Sequence, residues 1–430
     1  MFKFYKFNAF AIALAAVVGT SMVSCSDDDG KGEGDDAPEV KEALSPTESK
    51  AYMEETAKMF LGKFNPADQA DAVHFANYFC DEYGDLEAPA EWGLDDDDYD
   101  YWVSPANMMR TIAAVCNGDV YAASRGGYGN DIYDFDRFAG VYVPAGRYWI
   151  KDSNSDDIVF KFKNASGKDC EIKVTGDGSE SSMTVDGVTV RVPKKVVVTV
   201  KEDGKTHADV TVESQVNESG HNATVKVDAT VANVHTVANL EATDQLITMT
   251  QTVELSGSQI VKATASVKGT NMCNRSVIER AIRNEDFDAI LDLMTSATAE
   301  ADVLGRIQVK ATASEFSKVA DIIDNSYYDN YDYNSSEVAE AACKRDAETL
   351  NRFVAAAVYY NSDTKQADLK FEPKFEDYGY SYWEWSIMPS LVFCSDGTSY
   401  GFDEYFGNSR FASVESLWES LIDNYERLWR

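Results

Sequence analysis

The chain is 430 residues long, 44% apolar and 12% aromatic, with 73 Asp and Glu against 39 Lys and Arg and a formal charge of −34. Such a chain is globular and long enough to build one large core or two smaller ones. The charge excludes a nucleic-acid partner, whose binding draws on Lys and Arg clustered against phosphates, and an acidic surface keeps the body away from anionic head groups.

Residues 1–24 read as a secretory signal peptide, with Lys3 and Lys6 at the start, an apolar run over 9–18 and small residues before Cys25. The run is too short to span a bilayer, which takes about 20 apolar residues, and its removal with both lysines leaves the mature chain more acidic still. Met22, Val23, Ser24 and Cys25 resemble a bacterial lipobox, with Met22 and Val23 where Leu and Ala or Ser are commoner. That resemblance implies cleavage before Cys25 and acylation of its new N-terminus, an anchor of several chains that holds where a single chain is marginal. Ser26, Asp27, Asp28, Asp29 and Gly30 follow at once. They resemble the acidic export tag of surface lipoproteins of the Bacteroidota, which implies an outer-membrane address facing the cell exterior, with membrane contact through the lipid anchor alone. The alternative is an acidic run that keeps the linker solvated. On either reading 25–44 is a lipidated cysteine and flexible acidic tether.

Residues 45–135 form a mainly helical N-terminal region. Ser45, Pro46, Thr47 and Glu48 make a capping box with proline at the first helical position, and Asn65, Pro66, Ala67 and Asp68 repeat that logic. Ser104 and Pro105 predict a third helix whose apolar side carries Met108, Met109, Ile112 and Val115.

Residues 136–430 read as an antiparallel sheet with inserted helices. Between 141 and 268 the pattern has period two, with Asp186-Gly187, Asp203-Gly204, Ser219-Gly220 and Ser256-Gly257 as turns. Val225, Val227, Ala229 and Val231, and later Val261, Ala263, Ala265 and Val267, predict a sheet buried on one face. Helices are expected over 275–296, 314–325 and 335–360. Strands are expected over 304–313, 368–375, 383–393 and 399–405, with Asp396-Gly397 in the last hairpin. An amphipathic helix with Leu417, Trp418, Leu421, Ile422 and Tyr425, capped by Ser413, closes the chain. The fold class is therefore α+β, a large, mostly antiparallel meander sheet, curled, with helices packed on one face; a separable helical N-terminal domain is the alternative. The hairpin-rich body, with its block Val303, Leu304, Gly305, Arg306, Ile307, Gln308, Val309 and Lys310, is similar to that of Bacteroidota lipoproteins with no assigned activity.

Catalytic signatures fail their context. Gly397, Thr398, Ser399, Tyr400 and Gly401 spell G-x-S-x-G, but a nucleophile elbow needs a helix after the serine and a later histidine, and no His follows His235. With turns at Gly220 and near Ala242, His207 falls opposite Val231 and His221 beside Asn217, too far apart for a tetrahedral metal; His207, His221 and His235 are read as solvated strand-end residues. The acidic loop bearing Asp96, Asp98 and Asp100 is a weak calcium candidate that lacks the glycine and glutamate of an EF-hand. Cys80, Cys116, Cys170, Cys273, Cys343 and Cys394 permit disulfides without selecting a pairing, and equally suit burial as small hydrophobes.

Tyr378, Tyr380 and Tyr382 are expected on one face of a strand and Trp383, Trp385 and Ile387 on the other, the tryptophans in the core and the tyrosines free as a ligand platform. No motif calls for a catalytic residue, a metal or a cofactor. The expected role is a non-catalytic binding or scaffold lipoprotein acting on a protein, glycan or lipid ligand. A lipid carrier with a half-barrel sheet and a glycan-binding accessory protein are the alternatives; the first is weakened by an apolar face of Val and Ala, which suits close helix packing better than a cavity.

Overall fold

Ser45 makes the capping box that the sequence predicts: Glu48 N–H donates to its hydroxyl at 3.4 Å and its own N–H donates to the Glu48 carboxylate at 3.0 Å. Helix α1 (Pro46–Gly62) follows, then α2 (Pro66–Tyr83). The computed structural model describes residues 40–83, 86, 139–177, 180–185, 188–217, 221–274, 276–277, 280, 288–328, 335–361, 363–379, 382–407 and 411–429. The signal peptide, Cys25, the acidic tag, the helix expected at Ser104 and the loop of Asp96, Asp98 and Asp100 lie outside them.

The protein is α+β. One open sheet holds sixteen of its described strands, almost all antiparallel, and two more pair separately. Strands β1 (Gly140–Ala145), β2 (Tyr148–Ser153), β3 (Ile158–Lys163) and β4 (Asp169–Gly176) come first, with β1 parallel to β3. The separate hairpin is β5 (Glu180–Val185) with β6 (Val188–Pro193). The meander proper is β7 (Lys195–Glu202), β8 (Lys205–Asn217), β9 (Asn222–Val231), β10 (Val234–Thr243), β11 (Leu246–Leu255) and β12 (Ser258–Gly269). After the short α3 (Asp288–Leu291) it resumes with β13 (Met294–Val303) and β14 (Ile307–Ser314), passes through α4 (Phe316–Tyr328) and α5 (Ser336–Phe353), and continues as β15 (Val354–Tyr360), β16 (Thr364–Gly379), β17 (Tyr382–Phe393) and β18 (Ser399–Gly401). Helices α6 (Phe402–Phe406) and α7 (Ala412–Trp429) end the chain.

Two compact units divide these elements. One takes the chain through Phe64, Asp244–Thr252 and Gln259–Asp423; the other takes Asn65–Thr243, Val253–Ser258 and Asn424–Arg430. In the first, Val267, Ala297, Ala313 and Val354 stand in one register row, and Ile307, Val309, Val358, Tyr360, Ala367, Leu369, Leu391 and Phe393 continue the same face. Tyr52 of α1, Phe316 and Val319 of α4 and Leu350 of α5 cover it. Tyr52 stacks on Tyr360 at 4.3 Å, and the buried Arg306 guanidinium lies 4.8 Å over the Tyr52 ring and 3.5 Å from the Glu55 carboxylate. The second unit has an aromatic core, in which Phe75 and Phe79 of α2 meet Tyr142, Trp149, Phe160 and Phe162 of the first strands.

Several expectations are corrected. The helix expected over 275–296 reaches into β13, where Ala297, Ala299 and Ala301 pair with Val267, Ala265 and Ala263; local helix propensity yields to cross-strand pairing. The helix expected to 360 stops at Phe353, and Val354–Tyr360 is β15. The last expected strand ends at Gly401 and gives way to α6. Ser413 lies inside α7, where its hydroxyl donates to Glu54 instead of capping the helix. One-sided burial is incomplete in the middle of the sheet, since Val227 is buried but Val231 is exposed.

Replacing Ser45 by Ala removes the hydroxyl that accepts from the Glu48 N–H, leaves the backbone N–H bond to the Glu48 carboxylate, and lowers stability by about 1 kcal/mol. A urea unfolding curve checks this, and an unchanged midpoint at constant slope would show that α1 does not depend on its cap.

Candidate functional site

The longest hairpin of the described structure joins β16 to β17, paired from Ala367 with Phe393 to Gly379 with Tyr382. Its neighbours stop early. β15 pairs with β16 only as far as Leu369, and β18 pairs with β17 only over Ser390, Leu391 and Val392. Residues 370–379 and 382–389 thus run on as a two-stranded arm.

A two-stranded ribbon is marginal alone, and α5 braces this one. Ala339, Ala342 and Cys343 form a buried helix face against Trp383, Trp385 and Ile387, and Trp385 Nε1–H donates to Ser336 Oγ at 3.1 Å. The Cys343 thiol donates to Ser386 O at 3.3 Å, and burial pushes its pKa up to about 11. Asn351 replaces the missing strand at the start of the arm: its amide donates to Phe371 O at 2.7 Å and accepts from Phe371 N–H at 2.9 Å. Farther out, Phe375 lies opposite Trp385 with ring centroids 5.1 Å apart and is 46% exposed. The other face is charged, with Lys374 and Glu376 paired at 2.8 Å.

The tryptophans pack as expected, but the three tyrosines do not share one strand. Tyr378 sits in β16 at a register shift between Asp377 and Gly379, and Tyr382 opens β17 opposite Gly379. Both stand at the closed end of the hairpin on different strands; Tyr380 lies outside the described residues. Aromatic β propensity runs through the turn and hides it.

The histidines are also redistributed. The β8–β9 register runs from Asn217 opposite Asn222 to Ala208, and not His207, opposite Val231; a turn at Ala232 and Asn233 then makes two strands of the segment expected to continue toward Ala242, and the Ala232 N–H donates to His207 O. His207 is buried instead of solvated, stacked on Phe75 at 5.3 Å with Nε2 3.7 Å from Glu202. His221 occupies the turn beside the Asn217–Asn222 pair. His235 gathers two acids that the sequence reading missed: Nε2 lies 2.9 Å from Asp228 Oδ1 and Nδ1 lies 3.2 Å from Glu254 Oε2. Its strand partner is Thr230, two residues from Asp228, so the two-residue turn at Ala232 was the signal that would have revealed the contact.

Ser399 follows a turn and opens β18, with its hydroxyl donating to Glu372 at 3.2 Å, so the G-x-S-x-G run forms no elbow. Cys80, Cys170, Cys273, Cys343 and Cys394 are free thiols. Burial raises the pKa of Cys170, Cys273 and Cys394, which favours the thiol over the thiolate. Among the described residues, no group of three or more His, Cys, Asp or Glu is placed to hold a metal ion, and no helix is long and apolar enough to cross a membrane. Comparison with family models, with curated proteins and with solved structures gives no match.

A neutral imidazole donates through only one nitrogen, so two carboxylates favour the imidazolium. Hydrogen bonding to Asp228, then to Glu254, raises the His235 pKa above 6.5. The folded state therefore binds the proton more tightly than the unfolded state. His235 contributes stability that is full below pH 6.5 and is lost as pH rises through the folded pKa. With the side chain partly exposed, the effect is small and screened by salt. The stability difference between wild type and His235→Gln should shrink from acid to alkaline pH in urea titrations at low salt; a difference independent of pH removes the imidazolium from the account.

Proposed function

We propose that the protein is a lipid-anchored surface lipoprotein, tethered through Cys25 and exported by Ser26, Asp27, Asp28 and Asp29, with a non-catalytic role of binding a ligand at the closed end of the β16–β17 hairpin. The observation that carries this reading is the length of the arm, which runs on from residue 370 without a flanking strand and still keeps regular pairing as far as Asp377 and Trp383. Packing against α5 accounts for the arm as far as Trp383, while Phe375 and the closed end lie outside that contact. The extension closes the buried face of α5 and, beyond it, leaves Phe375 where solvent reaches it, and exposed aromatic surface marks interaction sites. Tyrosine offers a flat apolar ring with a polar tip, which suits the faces and hydroxyls of a sugar. A glycan is the ligand class this chemistry favours.

The carrier reading has a narrower basis. Val231 is exposed, and Val225 and Leu240 are only partly covered on the apolar side of β9 and β10. Those side chains alternate with Ala223, Ala229, Ala238 and Ala242, too small to line a lipid cavity. Native mass spectra before and after organic extraction separate the two readings, since a bound lipid that comes away with solvent supports the carrier.

Two outcomes test the proposal. Cys25→Ala should abolish metabolic labelling with a fatty-acid analogue and move the chain from the detergent phase to the aqueous phase of a Triton X-114 partition; a labelled variant would disprove the anchor. On a glycan array, Tyr378→Ala/Tyr380→Ala/Tyr382→Ala should weaken the strongest wild-type hits by about tenfold or more, roughly 1.4 kcal/mol, without shifting the thermal transition. Equal binding by the folded triple variant rules out the hairpin end as the site.

A further inference from the structure

Helix α7 is amphipathic, but its apolar stripe is wider than the surface it covers. Phe411, Val414 and Leu421 pack with Ala57 and Leu61 of α1. Trp418 and Ile422, one turn apart on the shoulder of that stripe, remain 37% and 38% exposed. Beside them run Glu415, Glu419 and Asp423, spaced i, i+4, i+8 on one side of the helix. Like charges at that spacing destabilise a helix by a few tenths of a kcal/mol per pair. Lys58 pairs with Glu54 and Lys344 with Glu340 at the same spacing elsewhere, whereas no cation or hydrogen-bond donor meets the three α7 side chains among the described residues. Glu415 gains from its place in the first turn of the helix, but Glu419 and Asp423 extend the row beyond that reach.

We propose that this face of α7 docks a protein partner presenting an apolar groove rimmed by lysine or arginine, with Trp418 and Ile422 in the groove and Glu415, Glu419 and Asp423 on the rim. Charge selects this occupant over the alternatives. A second copy would bring the same acidic row against itself, in a chain already at −34, and an anionic lipid surface would be repelled in the same way. A groove that buries Trp418 and Ile422 supplies apolar contact, while a basic rim gives orientation and faster encounter. The site is separate from the hairpin arm, so its failure and that of the glycan reading are distinguishable.

The test uses the full-length chain in detergent and a fluorescent amphipathic peptide with a leucine face flanked by lysines. Anisotropy should show binding that weakens about tenfold for both Trp418→Ser/Ile422→Ser and Glu415→Gln/Glu419→Gln/Asp423→Asn. Added salt should weaken the wild type and spare the second variant. The second variant keeps every packed side chain and so remains decisive if the first does not fold. Equal binding by both folded variants overturns the proposal, as does equal wild-type affinity for a peptide with glutamates in place of the lysines. Self-association in sedimentation that Trp418→Ser/Ile422→Ser abolishes, or retention on phosphatidylserine vesicles that the same variant loses, assigns the face to a second copy or to a membrane and equally overturns it.

Discussion

Register is the constraint on which the rest of this structure depends. From β7 to β18 the sheet order follows the chain order, so the strands joined by hairpins take their alignment from the turn between them, while β13 and β15, which follow helices, take theirs from pairing alone. A slip of one residue exchanges the buried and exposed faces of a strand. The turns hold alignment through left-handed backbone: φ is 49° at Asp203 and 79° at Gly204, 51° at Ser256 and 79° at Gly257, and 58° at Leu304 and 68° at Gly305. Consecutive positive φ values are those of the tight turns whose twist matches that of the strands they join. Val198, Val210, Ala229 and Thr236 fall in one row of the second unit as a result.

The two units fill the side that this register presents in different ways. Ala297, Ala311, Ala313 and Ala356 in the first are small enough for α1, α4 and α5 to approach the sheet, and Tyr52, Tyr360, Phe393 and Tyr405 belong to the same core. Two buried cations accompany these rings: Arg306 over Tyr52, and Lys50 at 5.3 Å from the centre of Tyr405 with its ammonium donating to the Tyr405 carbonyl. Both sit where an aromatic face offsets part of their desolvation. In the second unit large rings do the filling, and Trp149 and Tyr142 are fully buried among Phe160 and Phe162.

What could be read in the sequence was what depends on neighbours in the chain. The Ser45 cap, proline at the start of α1 and α2, and the Asp203-Gly204 and Ser256-Gly257 turns announce themselves because their chemistry is local. β13 did not, since Ala, Glu and Asp are unremarkable in a helix and only the facing alanines of β12 make Ala297, Ala299 and Ala301 a strand. The boundary at Phe353 carries no glycine or proline; Asn351 instead commits its side chain to the backbone of β16. Ala232 takes φ of 52° without being glycine, which concealed the turn that brings His235 to Asp228. The aromatic composition of the hairpin end was legible, but its division between two strands was not.

The treatment of its edge narrows what the arm can offer a ligand. An extended pair without neighbours presents unpaired N–H and C=O groups to any passing strand. Here the first such residue, Phe371, has both groups taken by Asn351, and Pro373 two residues on has no N–H to give. Lys374, Glu376 and Asp377 then place charges where an added strand would have to lie, a common guard against edge pairing. With the β16 edge protected in this way, strand addition there is disfavoured, and the proposed binding rests on side chains at the far end. The sequence there is rich in tyrosine, and on the proposed reading aromatic rings at the end of a braced ribbon would favour a ligand with flat or ring-shaped apolar faces over an extended peptide.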